Sequence, residues 1–364
     1  MSQGLIQHFP PLPKIMGRLR QAGDAKTSAV EPDHRRQQMH KILLDTDIGT
    51  DIDDILALSF LLASPEIELL GITTAYGNTV LRGKIAYQVL AHLGRAGQIP
   101  IAAGQPATLT SSRPIFWPGH EGKNIDHVGI PDHVLLDQPA EDFILETVKA
   151  QEGEVTILAI APLGNLARAI LKAPDTMARV KRIYMMGGVF GRNDPTFLLP
   201  VTEHNIHSDP EAAQVVFESG LPITLVPLDV TTKTRLGQEE LQALGEVDHP
   251  LARLLHAELS AWLPFVQAHD GREFTHMHDP LTAALLLRPA LVVHSQSMCI
   301  GVETQGVYTT GQTVPISAAG FKHVEVVLQI DAPAFQSFFL ERVLQLPVAN
   351  PPNLEPLPEE SGPR

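Results

Sequence analysis

The sequence is poor in the features that mark secreted and membrane proteins. Its 364 residues include a single cysteine, Cys299, so no disulfide can form within the chain and nothing indicates an oxidising compartment. No apolar run approaches the length of a transmembrane helix. The first residues carry several prolines and lack the apolar core of a signal peptide. We therefore expect a soluble, cytoplasmic protein.

Positive charge is scarce as well. The chain has 27 Lys and Arg residues against 41 Asp and Glu residues, which gives a formal net charge of −14 at pH 7. This balance argues against a nucleic acid or an anionic membrane as the main partner, because both select basic surfaces. A small neutral or cationic ligand, or a ligand held through a bound metal, suits the charge better. The 44% hydrophobic content predicts a sizeable core.

Short apolar segments alternate with helical patterns through most of the chain and predict an α/β fold. Residues 1–40 mix prolines, charges and glutamines and predict a loosely ordered N-terminal extension, residues 41–346 predict one domain, and residues 347–364 predict a flexible tail. We expect an open, mostly parallel sheet with helices on both faces. Two long irregular stretches, 104–129 and 189–206, interrupt the alternation, and loops of that length often have a function.

The densest cluster of charged residues follows the first predicted strand, in residues 42–62. Five aspartates surround a single Gly49 there: Asp45, Asp47, Asp51, Asp53 and Asp54. Carboxylates this close repel one another, so the cluster is costly unless a cation compensates it. Ca²⁺ or Mg²⁺ would suit, because such hard cations take oxygen ligands from several carboxylates. The simpler alternative is a solvated acidic turn with Asp54 near a helix N-terminus.

Three further polar clusters follow predicted strands or open predicted helices. They are Asn78, the tripeptide Glu203-His204-Asn205 before a helix that starts at Asp209, and His278-Asp279-Pro280. Each alone has an ordinary structural explanation, as a turn residue, a solvated charge and a helix N-cap. Because the carboxyl ends of parallel strands meet at one edge of a sheet, we expect all three clusters to join the acidic loop in one site.

Together these motifs resemble the inosine–uridine-preferring nucleoside hydrolase family. The resemblance spans about residues 41–330, and the matching segments keep the family's order: Asp45-Thr46-Asp47-Ile48-Gly49 with Asp53-Asp54, Tyr76-Gly77-Asn78, Ala161 to Leu166, Met186-Gly187-Gly188, Glu203-His204-Asn205 with Asp209-Pro210-Glu211, and His278-Asp279-Pro280. It implies the Rossmann-like fold of that family and Ca²⁺-dependent hydrolysis of ribonucleosides to free base and ribose, in nucleoside salvage. It also implies a homo-oligomer, either a dimer or a tetramer.

The resemblance also implies roles for single residues. Asp47 matches the aspartate that binds Ca²⁺ and acts as general base on the attacking water. Asp54 and Asp279 match further Ca²⁺ ligands, and His278 matches the proposed acid near the leaving base. The matched ribose-binding positions are Asp53, Asn78, Glu203 and Asn205. His120 lies about where the family has a histidine in a loop beside the substrate.

Three departures from the family pattern leave alternatives open. Two extra residues lie between Gly49 and Asp53, so Asp51 could take over a metal-ligand role from Asp53. Gly164 stands where the family has a threonine that offers its backbone carbonyl to the metal, and glycine retains that carbonyl. The loop before Glu203 is longer than usual, and Asn193 is the candidate there for a substrate-binding asparagine.

The chemistry of these residue types agrees with that reaction. Cleavage of a glycosidic bond needs an activated water, a stabilised oxocarbenium-like sugar and help for the leaving group. A carboxylate such as Asp47 can take the water's proton, and the acidic wall favours a developing positive charge on the ribose. His278 is expected to titrate near neutrality and to donate a proton to the base.

Three other functions fit these residues less well. An Mg²⁺-dependent aspartate-type phosphohydrolase also begins with Asp-x-Asp after a strand, but it needs a basic residue for the phosphate, which the four clusters lack. An EF-hand loop opening at Asp45 would need Gly and Glu where Thr50 and Leu56 stand. A homologue that binds ribosides without cleaving them is the third alternative. Candidates for contact with the base are Trp262, Phe265, His269 and His276, with core packing the favoured interpretation for Phe265.

Overall fold

The computed structural model describes residues 39–119, 121–123, 125, 127–191, 202–317 and 322–345. Most of the expected N-terminal extension and the whole of the expected tail lie outside these ranges. His120 and Asn193, two of the predicted substrate-binding residues, also lie outside them.

One sheet of nine strands organises the described part of the chain. The strands are β1 (His40–Thr46), β2 (Ile67–Thr74), β3 (Ile101–Ala103), β4 (Val155–Ala159), β5 (Arg182–Met186), β6 (Ile223–Val226), β9 (Val292–Val302), β10 (Thr313–Ile316) and β11 (His323–Ile330). Their order is β10-β9-β11-β6-β5-β4-β1-β2-β3. All neighbours from β11 to β3 pair in parallel, whereas β9 is antiparallel to both β10 and β11. The prediction of an open, mostly parallel sheet is confirmed.

Helices cover both faces of this sheet. They are α1 (Asp53–Leu62), α2 (Thr79–His92), α3 (Ala140–Ala150), α4 (Gly164–Lys172), α5 (Pro174–Met177), α6 (His204–Ser208), α7 (Pro210–Glu218), α8 (Leu228–Thr231), α9 (Gln238–Gly245), α10 (Pro250–Asp270), α11 (His278–Leu287) and α12 (Ala332–Leu344). Because side chains alternate along a strand, Ile42 and Leu44 of β1 join one hydrophobic core and Leu43 joins the other. Helices α1, α2, α10, α11 and α12 build the first core, and α3, α4 and α7 build the second.

The strand order reverses at β1. From β1 the chain proceeds outward through β2 and β3 on one side, then returns to β4 on the other side of β1 and proceeds to β5 and β6. At such a reversal the connections leaving neighbouring strands diverge, which opens a crevice at their carboxyl ends. The acidic loop follows β1 directly, so the topology places it in this crevice.

The sequence pattern predicts a largely helical stretch over residues 238–263 that Pro250 interrupts, and the structure has an interruption there. Two helices are present: α9 ends at Gly245, and Pro250 is the first residue of α10. Proline suits that position because the first turn of a helix needs no backbone donor from it. Helix α10 then continues past the predicted end, through Pro264, to Asp270, and ends at Gly271 in the left-handed conformation. A two-stranded ribbon, β7 (Leu236–Gly237) with β8 (Phe274–Thr275), flanks α9 and α10.

No helix in the described ranges is both long and apolar enough to cross a membrane.

Candidate active site

The acidic loop connects β1 to α1 and depends on Gly49. This residue has φ +107°, a conformation that residues with a Cβ rarely adopt. A Cβ built on Gly49 would also lie 2.6 Å from Cδ1 of Ile85, a buried residue of α2. The loop can therefore fold tightly against α2 only with glycine at this position. Asp47 and Asp51 stand two residues before and two residues after this turn in the sequence.

The aspartates of the loop are bound to the surrounding structure. Asp54 accepts a hydrogen bond from the hydroxyl of Thr46 at the end of β1. Asp51 Oδ1 accepts from the backbone N–H of Asp53 at 2.9 Å, and Asp53 Oδ2 accepts from the backbone N–H of Asp279 at 3.0 Å. The last contact joins the first turns of α1 and α11, 226 residues apart in sequence. Asp279 thereby reaches the acidic loop, as the sequence predicted.

A buried arginine holds the other side of the loop. Arg82 of α2 is 0% exposed, and its Nε donates to the carbonyl of Tyr76 at 2.8 Å. Its Nη1 donates to the carbonyls of Asp47 and Ile48, and its Nη2 donates to Thr50 Oγ1 at 3.0 Å. Nη2 also lies 3.9 Å from Asp47 Oδ2. The guanidinium thus supplies both hydrogen bonds and a compensating positive charge to the acidic loop.

Glu203, His204 and Asn205 stand at the start of α6. Glu203 caps this helix, because its carboxylate accepts from the backbone N–H groups of Asn205 and Ile206, and it also accepts from Gly188 at 2.9 Å. Asn205 Nδ2 donates to the carbonyl of Met186 at 3.2 Å. Burial raises the pKa of Glu203, although the backbone hydrogen bonds act in the opposite direction. The sequence-based alternative of a solvated charge is therefore wrong for this residue, which is buried.

His204 was part of a predicted cluster but had no predicted role. Its Nε2 lies 3.6 Å from Asp47 Oδ2, and its ring meets Tyr76 and Phe116 edge-on. Burial lowers the pKa of His204, but the hydrogen bond and charge of Asp47 act with the charges of Glu203 and Asp51 in the opposite direction, and the pKa lies above its usual value. His204 therefore forms a polar wall directly beside the proposed general base.

His278 begins α11, and its Nδ1 lies 2.7 Å from Thr231 Oγ1. Although part of its surface faces the site, burial lowers its pKa to about 3, and the nearby charges of His276 and Arg272 act in the same direction. The expectation that His278 titrates near neutrality is therefore wrong, because the surroundings disfavour an imidazolium. At neutral pH this ring is uncharged.

The buried carboxylates create a strong demand for positive charge. Burial raises the pKa of Asp53, Asp54 and Asp279 well above the usual value, and their mutual repulsion adds to this effect. Asp53 Oδ1 is sealed from solvent and has no hydrogen-bond partner within the described structure. An orphaned carboxylate oxygen among carboxylates fits a hard divalent cation, which takes such oxygens as ligands.

The carboxylates of the described residues are not arranged as a metal-ligand shell. Within the ranges that the structure describes, no group of three or more His, Cys, Asp or Glu side chains stands in position to hold a metal ion. One oxygen of Asp54 and one oxygen of Asp53 accept hydrogen bonds from the protein, from the Thr46 hydroxyl and the backbone N–H of Asp279.

A cavity of about 310 Å³ opens onto these side chains. It is lined by Asp47, Thr50, Asp51, Asp53, Asp54, Phe116, Ile160, Met186, Glu203, His204, Asn205, Leu228, His278 and Asp279. Most of the predicted site residues therefore meet at one cavity, and the carboxylates, an amide and two imidazoles supply its polar groups. Its volume suits a small molecule.

Asn78 does not line this cavity, so its predicted ribose contact is not supported here. The side chain is exposed, and its Oδ1 caps α2 by accepting from the backbone N–H of Leu81 at 3.0 Å. Tyr76 and Gly77, both with positive φ, turn the chain just before it. Asn78 instead lines a separate, mainly apolar groove together with Trp117. In the structure Asn78 thus follows a turn and caps α2.

Gly164 does not line the cavity either, contrary to its predicted role as a metal ligand. It is the first residue of α4, and a Cβ built on it would lie 3.4 Å from Asp209 Oδ2, a carboxylate that caps α7. Ile160, which directly follows β4, lines the cavity instead. The reason is geometric: the three residues between them carry the chain away from the sheet edge into the start of α4.

The four candidates for contact with the base also lie outside the cavity lining. Trp262 lines a small neighbouring pocket with Thr50 and Asp51, and its ring stacks on Phe265 at 5.1 Å. Phe265 is 41% exposed, so the favoured interpretation of core packing is wrong. His269 meets Phe265 edge-on, and His276 lies 5.3 Å from the ring of His278. Phe116, which is 63% exposed, is the aromatic side chain that lines the cavity.

Sequence reasoning missed Arg82 and Phe116. The signal for Arg82 was present, because it shares a helical stripe with Ile85, Ala86 and Val89, all of which are buried. A charged residue on an apolar stripe indicates a buried partner of opposite charge. Phe116 lies in a long irregular stretch without periodicity, and no pattern in the sequence assigns it to the site.

Comparisons with known proteins agree with this arrangement. A family model described as inosine-uridine preferring nucleoside hydrolase matches residues 42–337. Uridine nucleosidase 1 of Arabidopsis thaliana is 34% identical over 275 residues, which are 73% of this chain and 79% of the relative. The pyrimidine-specific ribonucleoside hydrolase RihA of Escherichia coli is 34% identical over 281 residues, which are 75% of this chain and 87% of the relative.

Solved structures show the same similarity. A plant nucleoside hydrolase, the PpNRh1 enzyme, superposes with a TM-score of 0.75 at 29% identity and covers 84% of this chain and 99% of its own. A purine-preferring ribonucleoside hydrolase from Gardnerella vaginalis gives a TM-score of 0.73 at 29% identity and covers 83% of this chain and 98% of its own. These relatives span nearly the whole described fold.

Proposed function

Because this chain belongs to the inosine–uridine preferring nucleoside hydrolase family, and is thus a ribonucleoside hydrolase, we propose that the cavity at the end of β1 cleaves nucleosides to free base and ribose. The observation that carries this proposal is the convergence of Asp47, Asp54, Asp279 and His278 on one cavity of about 310 Å³. Residues more than 200 positions apart in the sequence meet there, and each supplies a group that this reaction needs.

The family is metal-dependent, and we propose that this chain uses Ca²⁺. Asp47, Asp54 and Asp279 would hold the ion, and Asp51 is close enough along the loop to join them. The orphaned Asp53 Oδ1 and the raised pKa values of the buried carboxylates support a cation at this place. When bound, Ca²⁺ would orient the attacking water and lower its pKa.

Asp47 is proposed as the general base. Its carboxylate lies on the cavity, 3.9 Å from Arg82 Nη2 and 3.6 Å from His204 Nε2, so its orientation is restricted from two sides. It would accept the proton of the water that attacks C1′ of the ribose. The surrounding carboxylates would stabilise the positive charge that develops on the sugar as the glycosidic bond breaks.

The ribose hydroxyls are proposed to bind between the two walls of the cavity. One wall is the start of α6 with Glu203 and Asn205, and the other is the acidic loop, which contains both Asp47 and Asp53. Asp53 Oδ2 already accepts from the backbone N–H of Asp279, so the buried Oδ1, which has no hydrogen-bond partner in the described structure, is the atom left for the cation. The Asp51 side chain is the alternative hydroxyl partner on that wall.

The relatives differ in the nucleobase of their substrates. The named relatives include enzymes for uridine and pyrimidine nucleosides and one that prefers purines. Phe116 and His204 flank the cavity, and an aromatic and an imidazole ring can both stack on either class of base. We propose a ribonucleoside as substrate. A cytoplasmic location and a homo-oligomeric state stay predictions from the sequence.

The direct test measures ribose release from uridine, cytidine, inosine and adenosine, with Ca²⁺ or after chelation. Wild-type protein should release ribose only with the ion, and phosphate release from nucleotides should be absent. Asp47→Asn should lower turnover by at least about 10³-fold, because a positioned base alone contributes about 10²–10⁴-fold and Asp47 would also ligate the ion.

The matched control for Asp47→Asn is Asp137→Asn, which changes an exposed carboxylate far along the chain and should leave the rate unchanged. Circular dichroism should show that both variants keep the fold. Full activity of Asp47→Asn, or hydrolysis of nucleotides to phosphate instead of nucleosides to ribose, would contradict the proposal. Binding of nucleosides without ribose release would favour a non-catalytic homologue.

A further inference from the structure

The ring of His278 is held from behind by one hydroxyl group. Thr231, the last residue of α8, is fully buried, and its Oγ1 lies 2.7 Å from His278 Nδ1. A second contact fixes the same two segments, since the backbone N–H of Met277 donates to Thr234 Oγ1 at 3.1 Å. The segment from Thr231 to Thr234 and the segment from Met277 to His278 are thus joined by two hydrogen bonds.

The hydrogen-bonding capacity of Thr231 decides which ring nitrogen carries the proton. Across the described part of the chain, Thr231 Oγ1 has no hydrogen-bond partner besides His278 Nδ1. A buried hydroxyl that donated no hydrogen bond would destabilise the folded protein, because its donor would be left unsatisfied. The hydroxyl therefore donates to Nδ1, which must then be unprotonated, and the proton of the neutral ring stays on Nε2.

The second ring nitrogen is the one left for a substrate. Nε2 of His278 bonds to no residue that the structure describes, and it is not among the polar atoms sealed inside the protein. His278 lines the same cavity as Asp47 and Asp279. Because Thr231 holds the ring at Nδ1, the ring presents Nε2–H to the cavity.

We propose that Thr231 is a positioning residue that locks His278 in the Nε2–H tautomer and aims this N–H at the leaving base. The inference rests on the proposed function of the cavity and adds to it how an uncharged imidazole assists the reaction. The bond between C1′ and the base nitrogen breaks, and its electron pair goes to the base. The water oxygen bonds to C1′, and the water's proton goes to Asp47.

In this step His278 keeps its own proton. The anionic base accepts a hydrogen bond from Nε2–H while it leaves and takes a proton from solvent afterwards. An assistance of this kind matters most for a poor leaving group such as a nucleobase. It matters little for a leaving group that is already a stable anion, such as 4-nitrophenolate.

The experiment compares a nucleoside with 4-nitrophenyl β-D-ribofuranoside in wild-type protein and three variants. Thr231→Val keeps the shape but removes the hydroxyl, and Thr231→Ser keeps the hydroxyl. Thr282→Val is the matched control, because Thr282 is equally buried and its hydroxyl donates to the main-chain carbonyl of His278 at 3.1 Å, not to its ring.

For Thr231→Val we expect kcat to fall roughly tenfold with the nucleoside and less than twofold with the nitrophenyl riboside, since a donor contributes about 10²–10⁴-fold and valine only loosens its orientation. Thr231→Ser should restore most of the nucleoside rate. Thr282→Val should change both substrates by the same factor. An equal loss on both substrates in Thr231→Val would overturn the proposal.

A second measurement does not depend on activity. Long-range ¹H–¹⁵N spectra of histidine-labelled wild-type protein report the tautomer of each ring, and His278→Gln identifies the signals of His278. The proposal requires Nε2–H in the wild type, and an Nδ1–H tautomer would refute it even if no variant folds. A wild-type protein that hydrolyses neither substrate would instead refute the proposed function and leave the tautomer result standing.

Discussion

Arg82 shows how a single buried cation shapes the acidic loop. It donates to the carbonyls of Asp47 and Ile48 and to Thr50, so one side chain fixes three consecutive parts of the loop. A guanidinium suits this task because its donors form a planar fork with fixed directions. Its positive charge also offsets part of the repulsion among carboxylates that burial keeps close together.

Replacement of Arg82 by methionine should therefore be costly. Arg82→Met leaves three buried carbonyls without their donor and the Asp47 carboxylate without the positive charge 3.9 Å away, and we expect a loss of about 3–5 kcal/mol in the free energy of unfolding. Urea denaturation measures this loss. The control is Lys84→Met on the same helix, where the lost ion pair is with a largely exposed Asp132, and it should cost less than about 1 kcal/mol. Equal losses in the two variants would contradict the role of Arg82.

Asp45 gives the metal-free protein a pH dependence. Burial raises its pKa to about 7, although hydrogen bonds from Thr73 and Asn165 act in the opposite direction. The unfolded chain has a pKa near 3.8. Since the folded state holds the proton more tightly, the stability that this group contributes is present at low pH and is lost as the pH rises from about 4 to 7.

We therefore expect the chelated wild-type protein to be less stable at pH 8 than at pH 4.5. Asp45→Asn is uncharged at both values, and it should reduce the difference by about 2–3 kcal/mol. Asp53, Asp54 and Asp279 have raised pKa values too, so part of the difference should persist. The stability difference between pH 4.5 and pH 8 is measured from the urea midpoints at the two pH values, and Asp137→Asn serves as the control. An undiminished difference in Asp45→Asn would show that Asp45 is ionised in the folded state.

At the scale of elements, the turn between β1 and α1 depends on the contact of Gly49 with α2. Gly49→Ala adds a Cβ 2.6 Å from Ile85 Cδ1 in a backbone conformation with φ +107°. We expect a loss of about 2–4 kcal/mol, part from the clash and part from backbone strain.

A second substitution separates the two parts. Ile85→Val removes Cδ1. The double variant Gly49→Ala with Ile85→Val should therefore regain the stability lost through the clash but not the stability lost through backbone strain. Gly94→Ala is the control for strain alone, because its φ is +66° and a Cβ there meets nothing within 4 Å. The test compares the thermal unfolding midpoints of the wild type, Gly49→Ala, the double variant and Gly94→Ala. Equal stabilities of Gly49→Ala and Gly94→Ala would show that α2 does not restrict the loop.

For the whole molecule, the sequence predicted the elements that repeat a simple pattern. Alternation of apolar strands and helices predicted the mostly parallel sheet, and Asp209-Pro210 predicted the start of α7, where Asp209 caps the helix. The motifs at strand ends predicted that Asp47, Asp54, Glu203 and Asp279 meet, since parallel strands bring their carboxyl ends together.

Predictions that needed three-dimensional detail were less successful. Asn78 and Gly164 follow strands in the proper order, but the turn at Gly77 and the entry into α4 direct them away from the cavity. The low pKa of His278 depends on how deeply α11 is packed, which no local pattern encodes. Spacing along the chain indicates which strand a residue follows but not which way its side chain points.

The hydrogen bond from the backbone N–H of Asp279 to Asp53 has a consequence for the newly made chain. Its two residues are 226 positions apart, so the acidic loop is synthesised long before its last partner exists. Closing so long a loop is slow compared with local pairing, and β1 can pair with β2 much earlier. A nascent chain would therefore carry the acidic loop in an incomplete state until α11 has emerged from the ribosome, and completion of the site would report that the strands from β1 to β6 have been made.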